Sequence, residues 1–358
     1  MKNLAVAIAQ VLISKNIAFC LYRLPDENDI RLAIDSEYVS SNKHKTFWLA
    51  PFCPQSSAKE IFMAVIAPHQ YEEVLQECSS FVPKKSFPSL QLPPEISKDK
   101  YLSKAHTFIQ DIRSGLLDKA ILSRVIHQPT PSNFDIFDCF ENLTNSYTDT
   151  FVYLLVHEQA GIWMGATAEL LLNKKEQQLN VMALAGTQSK NNTGQYEWRD
   201  KEMEEHLMVG EHIEEIFDQH HFKLKKKHPT ITIESGRVAH LRTDYIYEDE
   251  KNISLKSLLK DLHPTPAISG LPSKKGVEYI LGHEGYDRKY YCGFMGETDF
   301  SSSADLYINL RCMQIEKEKI AVYVGGGITA TSDPEEEWNE TVLKSKTMID
   351  KLYPTKTE

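Results

Sequence analysis

Four glutamates offer the clearest chemistry in this sequence. Glu202 and Glu205 form one Glu-x-x-Glu pair, and Glu337 and Glu340 form a second. Each pair lies in a stretch patterned as helix, where residues three apart share a face. Two such faces meeting across a cleft would hold a hard divalent cation through oxygen ligands, with positions left open for an anionic molecule. The second pair follows a run of small residues, Val324-Gly-Gly-Gly-Ile328. Plainer readings of the same spacing stay open. Asp333 suits an N-cap, Pro334 the first helical position and Glu336 a capping box, so the helix dipole accounts for Glu335 and Glu336. Glu340 lies beyond that first turn, and Lys344 one turn later gives it a surface ion-pair partner. Upstream, Arg199, Asp200, Lys201, Glu202, Glu204 and Glu205 could be a solvated charged turn, although Glu202, Glu205, Val209 and His212 share one side. His206 reads as a ligand or as a packed or exposed histidine; an oxygen-rich site for a hard cation favours the second.

Two further groups could move protons. Lys119 opens the otherwise apolar run Lys119-Ala-Ile-Leu-Ser-Arg124. Desolvation there would lower its pKa and make it a base; the alternative is an edge-strand lysine that guards against aggregation. Glu169, facing the apolar run Leu170-Leu171-Leu172, is a general acid with a raised pKa or a turn-end carboxylate in solvent. A lysine base and a glutamic acid on opposite sides of a substrate suit an addition coupled to loss of a hydroxyl. Gly186-Thr187 and Gly325 to Gly327 read as strand ends where backbone N–H groups can approach an anion, and equally as ordinary turns. There is no GxGxxG, no P-loop and no Gly-x-Ser-x-Gly to point to nucleotide or acyl chemistry.

The elements that must position these groups follow from periodicity. Leu4, Ile8, Val11 and Leu12 mark an amphipathic helix behind Met1-Lys2-Asn3, too polar and too short in its apolar run for a signal peptide or membrane span. Residues 18–24 and 47–52 read as strands. The Pro/Ser/Lys-rich stretch 81–100 reads as a connection between an N-terminal part, 1–95, and a catalytic region, 96–358. Tyr101, Ala105, Phe108, Ile109 and Ile112 then mark a helix face that Gly115 ends. Strands are expected at 119–127, 151–157, 179–184, 237–247, 290–295, 306–315 and 320–324. Helices are expected at 199–219, 256–262, 277–283 and 334–352. Strands outnumber helices and often follow one another directly, so the expected class is α+β. The basic run Lys223, Lys225, Lys226, Lys227 reads as a solvated turn or edge strand.

The bulk numbers agree. A 358-residue chain with 41% hydrophobic and 25% charged residues is a soluble globular protein of one large domain or two ordinary ones. Its net charge of −10 lacks the basic footprint of a nucleic-acid surface. Six scattered cysteines form no Cys-x-x-Cys, so a reduced, cytoplasmic protein without a zinc knuckle is the simplest account.

Taken in order, these segments resemble the chorismate-utilising enzyme family. The matches are Lys119-Ala-Ile-Leu-Ser-Arg124, Gly165-Ala-Thr-Ala-Glu169, Leu184-Ala-Gly-Thr187, Lys201-Glu-Met-Glu-Glu-His206 and His263-Pro-Thr-Pro-Ala-Ile-Ser-Gly270. They continue through Tyr291-Cys-Gly293, Leu310-Arg311, Gly325-Gly-Gly-Ile328 and Ser332-Asp-Pro-Glu-Glu-Glu-Trp-Asn-Glu340-Thr. The resemblance implies two packed antiparallel sheets surrounded by helices, and its His263 segment looks like isochorismate synthases rather than anthranilate synthases. It implies a magnesium-dependent conversion of chorismate to isochorismate, serving menaquinone or siderophore biosynthesis. Lys119 would activate the water that attacks C2, and Glu169 would protonate the departing C4 hydroxyl. Glu205 and Glu340 would ligate magnesium directly, with Glu202 and Glu337 acting through water. Tyr291 and Arg311 would hold the pyruvyl carboxylate, Gly186, Thr187 and Gly327 would give backbone contacts, and Lys344 would line the site. The resemblance leans towards a monomer with no glutaminase subunit. The sequence departs from the family at Ala168, where proline is common, and at Gln188, where arginine often stands; both bear on rate or product. Competing readings are a salicylate synthase, which would also eliminate pyruvate, an anthranilate-type amination, and a chorismate-binding protein without turnover.

Overall fold

The computed structural model describes residues 3–38, 45–250 and 253–353; Met1 and Lys2 lie outside them. In chain order the described residues form α1 (Leu4–Ser14), β1 (Phe19–Arg23), β2 (Arg31–Ile34), β3 (Thr46–Ala50), β4 (Ile61–Ile66), α2 (Tyr71–Cys78) and α3 (Lys98–Arg113). Next come β5 (Lys119–Pro129), α4 (Ile136–Ser146), β6 (Phe151–His157), β7 (Gly161–Thr167), β8 (Leu170–Lys175), β9 (Gln178–Ser189) and α5 (Asp200–Gln219). The remainder is β10 (Lys223–Lys227), β11 (Ile231–Ser235), β12 (Val238–Glu248), α6 (Leu255–Leu262), β13 (Gly270–Leu271), α7 (Ser273–His283), β14 (Phe294–Thr298), β15 (Ser303–Ile308), β16 (Cys312–Ile315), β17 (Lys319–Ile328) and α8 (Pro334–Leu352).

All pairings are antiparallel and run as one path: β12–β9–β8–β15–β14–β3–β4–β2–β1–β6–β7–β16–β17–β5–β13. The exposed basic strand β10 and strand β11 share the outer edge of β12. Leu172 of β8 and Trp163 of β7, far apart on this path, join one buried cluster with Tyr22, Trp48, Phe294 and Tyr323. The ribbon therefore closes on itself as two facing sheets, one carrying β9, β8, β15 and β14, the other β6, β7, β16, β17 and β5. The strands β1 to β4 bridge them. Helices cover the outer faces: Ile8, Leu12, Phe140, Leu143, Met348 and Leu352 of α1, α4 and α8 pack on Val152 and Val322. Tyr101, Phe108 and Ile112 of α3 join Tyr279 of α7 over Leu122. The expected α+β class, with helices outside antiparallel sheets, is what the chain forms.

Several boundaries differ from the sequence reading. The expected strand 290–295 begins only at Phe294, because Lys289 and Cys292 take positive φ and Gly293 N donates to Tyr290 O at 2.9 Å, closing a turn. The expected strand 306–315 breaks into β15 and β16, since Arg311 sits at φ 47°. Helices α2 and α4 and strands β2, β4, β7, β8, β11 and β13 were not anticipated, their apolar runs being too short to assign alone. Asp333 caps α8 by accepting from Glu335 N and Glu336 N, but Glu336 completes no capping box; its carboxylate reaches Arg199 at 3.5 Å. Nor do Gly186-Thr187 and Gly325 to Gly327 end strands: they lie within β9 and β17.

Candidate active site

Two places where the chain crosses from one sheet to the other lie side by side, because β8 pairs with β15 and β7 with β16. Glu169 stands on the first crossing, between β7 and β8, and Arg311 on the second, between β15 and β16. Both look into a cavity that is also lined by Gly186, Thr187, Glu205, Tyr291, Gly327 and Lys344. An adjoining, more open cleft is bordered by Glu202, Glu205, Glu337 and Glu340 and shares Thr187, Glu205 and Gly327 with the first. The seven expected substrate and acid residues that line the first cavity thus adjoin the four carboxylates of the second, with Glu205 common to both.

Lys119 does not itself line the cavity. It is fully buried at the start of β5, inside the sheet rather than on an edge, since β5 pairs with both β17 and β13. Gly270 of β13 lies so close that a Cβ there would collide with the Lys119 carbonyl, and its φ of 135° is one a side chain rarely allows. This close approach lays the segment following His263 along β5. The Lys119 ammonium forms an ion pair with Glu205 Oε1 at 2.8 Å. A buried pair, Glu284 with Arg288 at 2.5 Å, fixes the same wall: Glu284 accepts from Ser123 N, and Arg288 donates to the Ile121 and Ile268 carbonyls. His263 is not at the cavity; its Nε2 contacts the Phe52 carbonyl at 3.1 Å, and burial lowers its pKa to about 4.

Glu169 is 9% exposed, which excludes a solvent carboxylate. Burial pushes its pKa up to about 7, against the pull of Lys119, Lys344 and Arg311. It is half protonated near neutrality, as a proton donor to a leaving hydroxyl must be. Arg311 is half-buried, and its Nη1 has no partner among the described residues; a guanidinium with an orphaned donor facing a polar cavity is set for an anion. Its Nη2 donates to His240 Nε2 at 3.3 Å, while His240 Nδ1 lies 3.0 Å from Gly186 O. Because a guanidinium only donates and a carbonyl only accepts, His240 carries its proton on Nδ1. Burial, then Arg311 and Lys344, lowers its pKa to about 3. Sequence reasoning passed over His240; the signal was an imidazole inside the apolar run Val238-Ala-His-Leu241. Tyr291 stacks on Tyr323 at 5.3 Å, and Tyr323 on Trp163 at 5.0 Å, making an aromatic floor.

The four glutamates do face one another. Asp333 and Pro334 start α8, and Arg124, stacked on Trp338 at 3.7 Å and bonded to Thr341, holds it against β5. A Cβ on Gly326 would meet Glu340 Oε1 at 3.2 Å and Glu337 Oε2 at 3.3 Å, and one on Gly327 would meet Glu205 Oε1 at 2.6 Å. The glycines thus clear a floor over which both helices' carboxylates close. Each carboxylate rests on a cation: Glu205 on Lys119, Glu340 on Lys344 at 2.5 Å, Glu337 on Lys201 at 2.6 Å and Glu202 on Arg199 at 2.6 Å. Among the described residues no three His, Cys, Asp or Glu side chains converge as metal ligands. The all-oxygen donor set fits a hard dication, for which the carboxylates would leave these partners. Glu202 is the least free, accepting from both the backbone and the guanidinium of Arg199. Against burial, Lys119, Lys344 and Lys201 hold Glu205 below its ordinary pKa, whereas burial and Glu340 push Glu337 up to about 7. His206 is packed, its Nε2 on Thr243 Oγ1 at 2.7 Å. Gln188 donates to the Glu197 carbonyl, and Ala168 lines the cavity beside Glu169.

The family model described as chorismate binding enzyme matches residues 28–353, and the chain belongs to that family. It is similar to the isochorismate synthase EntC of Escherichia coli (strain K12), 26% identical over 241 residues that cover 65% of this chain and 62% of EntC. It is similar also to the isochorismate synthase DhbC of Bacillus subtilis (strain 168), 26% identical over 273 residues covering 72% of this chain and 69% of DhbC. The match to EntC thus spans less than two thirds of that relative. Among solved structures, MenF, the menaquinone-specific isochorismate synthase from Escherichia coli, superposes with a TM-score of 0.77 at 19% identity, over 99% of this chain and 92% of that one. At that identity the likeness speaks to the fold. No helix among the described residues is long and apolar enough to cross a membrane.

Proposed function

We propose that this protein is an isochorismate synthase, converting chorismate to isochorismate in a magnesium-dependent reaction. The observation that carries the reading is the buried Glu169 carboxyl, half protonated near neutrality and facing the same cavity as the unspent Nη1 of Arg311. Arg311 and Tyr291 receive the pyruvyl carboxylate, and the backbone of Gly186, Thr187 and Gly327 borders the ring. Glu169 protonates the departing C4 hydroxyl. Lys119, in its neutral form, takes a proton from the water that adds at C2; its ion pair with Glu205 is the state before substrate arrives. Magnesium, held by Glu205 and Glu340 directly and by Glu202 and Glu337 through water, would supply positive charge for the ring carboxylate. The product serves menaquinone or siderophore biosynthesis; the likeness to the menaquinone-specific enzyme MenF supports the first.

The test is incubation of the purified protein with chorismate, with and without magnesium, and separation of the products by chromatography. Magnesium-dependent isochorismate without salicylate is the expected result. Salicylate with pyruvate would make the protein a salicylate synthase, and unconsumed chorismate would leave it a binding protein.

A further inference from the structure

The four cations that rest on the acidic cleft are not equivalent. Arg199 closes the first turn of α5 on Glu202. Lys344 also donates to the Gly325 carbonyl at 3.0 Å and lines the substrate cavity. Lys119 stands at the reacting end. Lys201 does none of these things. It projects from α5 across the cleft to α8, its side chain is 18% exposed, and among the described residues its ion pair is to Glu337 Oε1 at 2.6 Å. Ser332 Oγ donates to the same oxygen at 2.6 Å, so Oε1 is spent, while Oε2 looks over Gly326 towards Glu340. The field at Lys201 comes from Glu337, Glu340 and Glu205 together, the carboxylates that border the proposed metal position.

We infer that Lys201 is a tethered counter-cation which occupies the cleft before metal arrives, competes with a divalent ion for Glu337, and so sets how tightly the protein binds magnesium. The inference rests on the metal reading above. Without metal, Lys201 bridges two helix ends that would otherwise repel through their carboxylates. With metal present, the same ammonium is a like charge beside a dication in a half-buried setting.

The experiment is calorimetric titration with magnesium chloride alone, without chorismate, on the wild type, Lys201→Met and Lys201→Arg. All three proteins are titrated at one fixed pH, and in two buffers of different ionisation enthalpy, so that any proton release on binding is read separately from the change in affinity. Removing one elementary charge a few ångströms from the ion should lower the magnesium Kd at least about tenfold in Lys201→Met, with Lys201→Arg close to wild type. Thermal melts should show a metal-free Lys201→Met that melts below wild type and gains more from magnesium, as tighter binding requires. An unchanged or weaker magnesium affinity in Lys201→Met would overturn the inference while leaving the metal site standing. Failure of every protein to bind magnesium would instead remove the metal reading. Should Lys201→Met fold poorly, Lys201→Gln asks the same question with a polar side chain.

Discussion

Glu169→Gln should stabilise the protein in alkaline solution while abolishing its chemistry. Glu169 is buried, and its pKa is moved from an ordinary 4.5 to about 7. That displacement corresponds to roughly 3 kcal/mol of differential free energy between its charge states. Below pH 4.5 the carboxyl is protonated in the folded and unfolded chains alike, and costs nothing. As pH rises from 4.5 to about 7 the unfolded chain has lost this proton while the folded chain retains it, so the folded state loses relative stability across that interval. Above 7 the full cost is present. A glutamine has no such charge to bury, so the variant should equal wild type in urea unfolding near pH 4.5 and exceed it by up to about 3 kcal/mol near pH 8.5. Chorismate turnover should fall on the order of a thousandfold at all pH values, and wild-type turnover should itself decline as pH rises through about 7. A variant whose stability relative to wild type does not change with pH would refute the argument that burial, rather than a fixed partner, governs this carboxyl. Near-normal turnover would remove Glu169 from the acid role.

Three other outcomes follow from the same geometry. Lys119→Ala should reduce turnover by about a thousandfold yet leave chorismate affinity, read by equilibrium fluorescence titration, within a few-fold of wild type; a large loss of affinity would make Lys119 a binding group. Gly327→Ala should retain the fold, because its Cβ meets only the movable ends of Glu205 and Lys119 at 2.6 and 2.9 Å, but should cut isochorismate formation by about a hundredfold through their displacement; full activity with an unchanged melting curve would show that the cradle tolerates the methyl group. Glu284→Ala leaves the Arg288 guanidinium, 1% exposed, without its carboxylate, and should cost about 3–5 kcal/mol in urea unfolding; a loss under about 1 kcal/mol would mean that the carbonyls of Ile121 and Ile268 suffice.

Helices were legible where a long amphipathic face carried its own punctuation: α8 runs from Pro334 to Leu352 as its Asp-Pro start implies, and α5 begins one residue from its expected bound. The carboxylate pairs, Lys119 and Glu169 were legible because charged groups next to apolar runs or glycines stand out. What could not be read locally was set by tertiary contact. Arg311 breaks a run that looks like continuous strand because the chain must cross there between sheets, and a left-handed residue makes the corner. Tyr290 and Tyr291 look like strand because they are aromatic, yet they belong to a turn whose bonds run to Asn309 and Arg288. His240 went unnoticed because its importance lies in joining Gly186 to Arg311, partners remote in sequence. The neutralising set of Arg199, Lys201, Lys119 and Lys344 was visible as residues but not as pairs, since only the meeting of α5, α8 and β5 assigns each to its carboxylate.

The bridging position of β1 to β4 has a consequence for how the chain is made. Ala50 of β3 pairs with Phe294 of β14, and Phe19 of β1 with Val156 of β6. A ribosome adding about 5–20 residues per second therefore exposes β3 for tens of seconds before its partner emerges. During that interval Phe47, Trp48 and Leu49 form the free border of an unfinished sheet, open to pairing with other nascent chains. The strands that join the two halves of the finished molecule are thus its chief hazard during synthesis, and changes that lower the stickiness of residues 46–50 should raise the yield of soluble protein more than equal changes in β16 and β17, which pair as immediate neighbours.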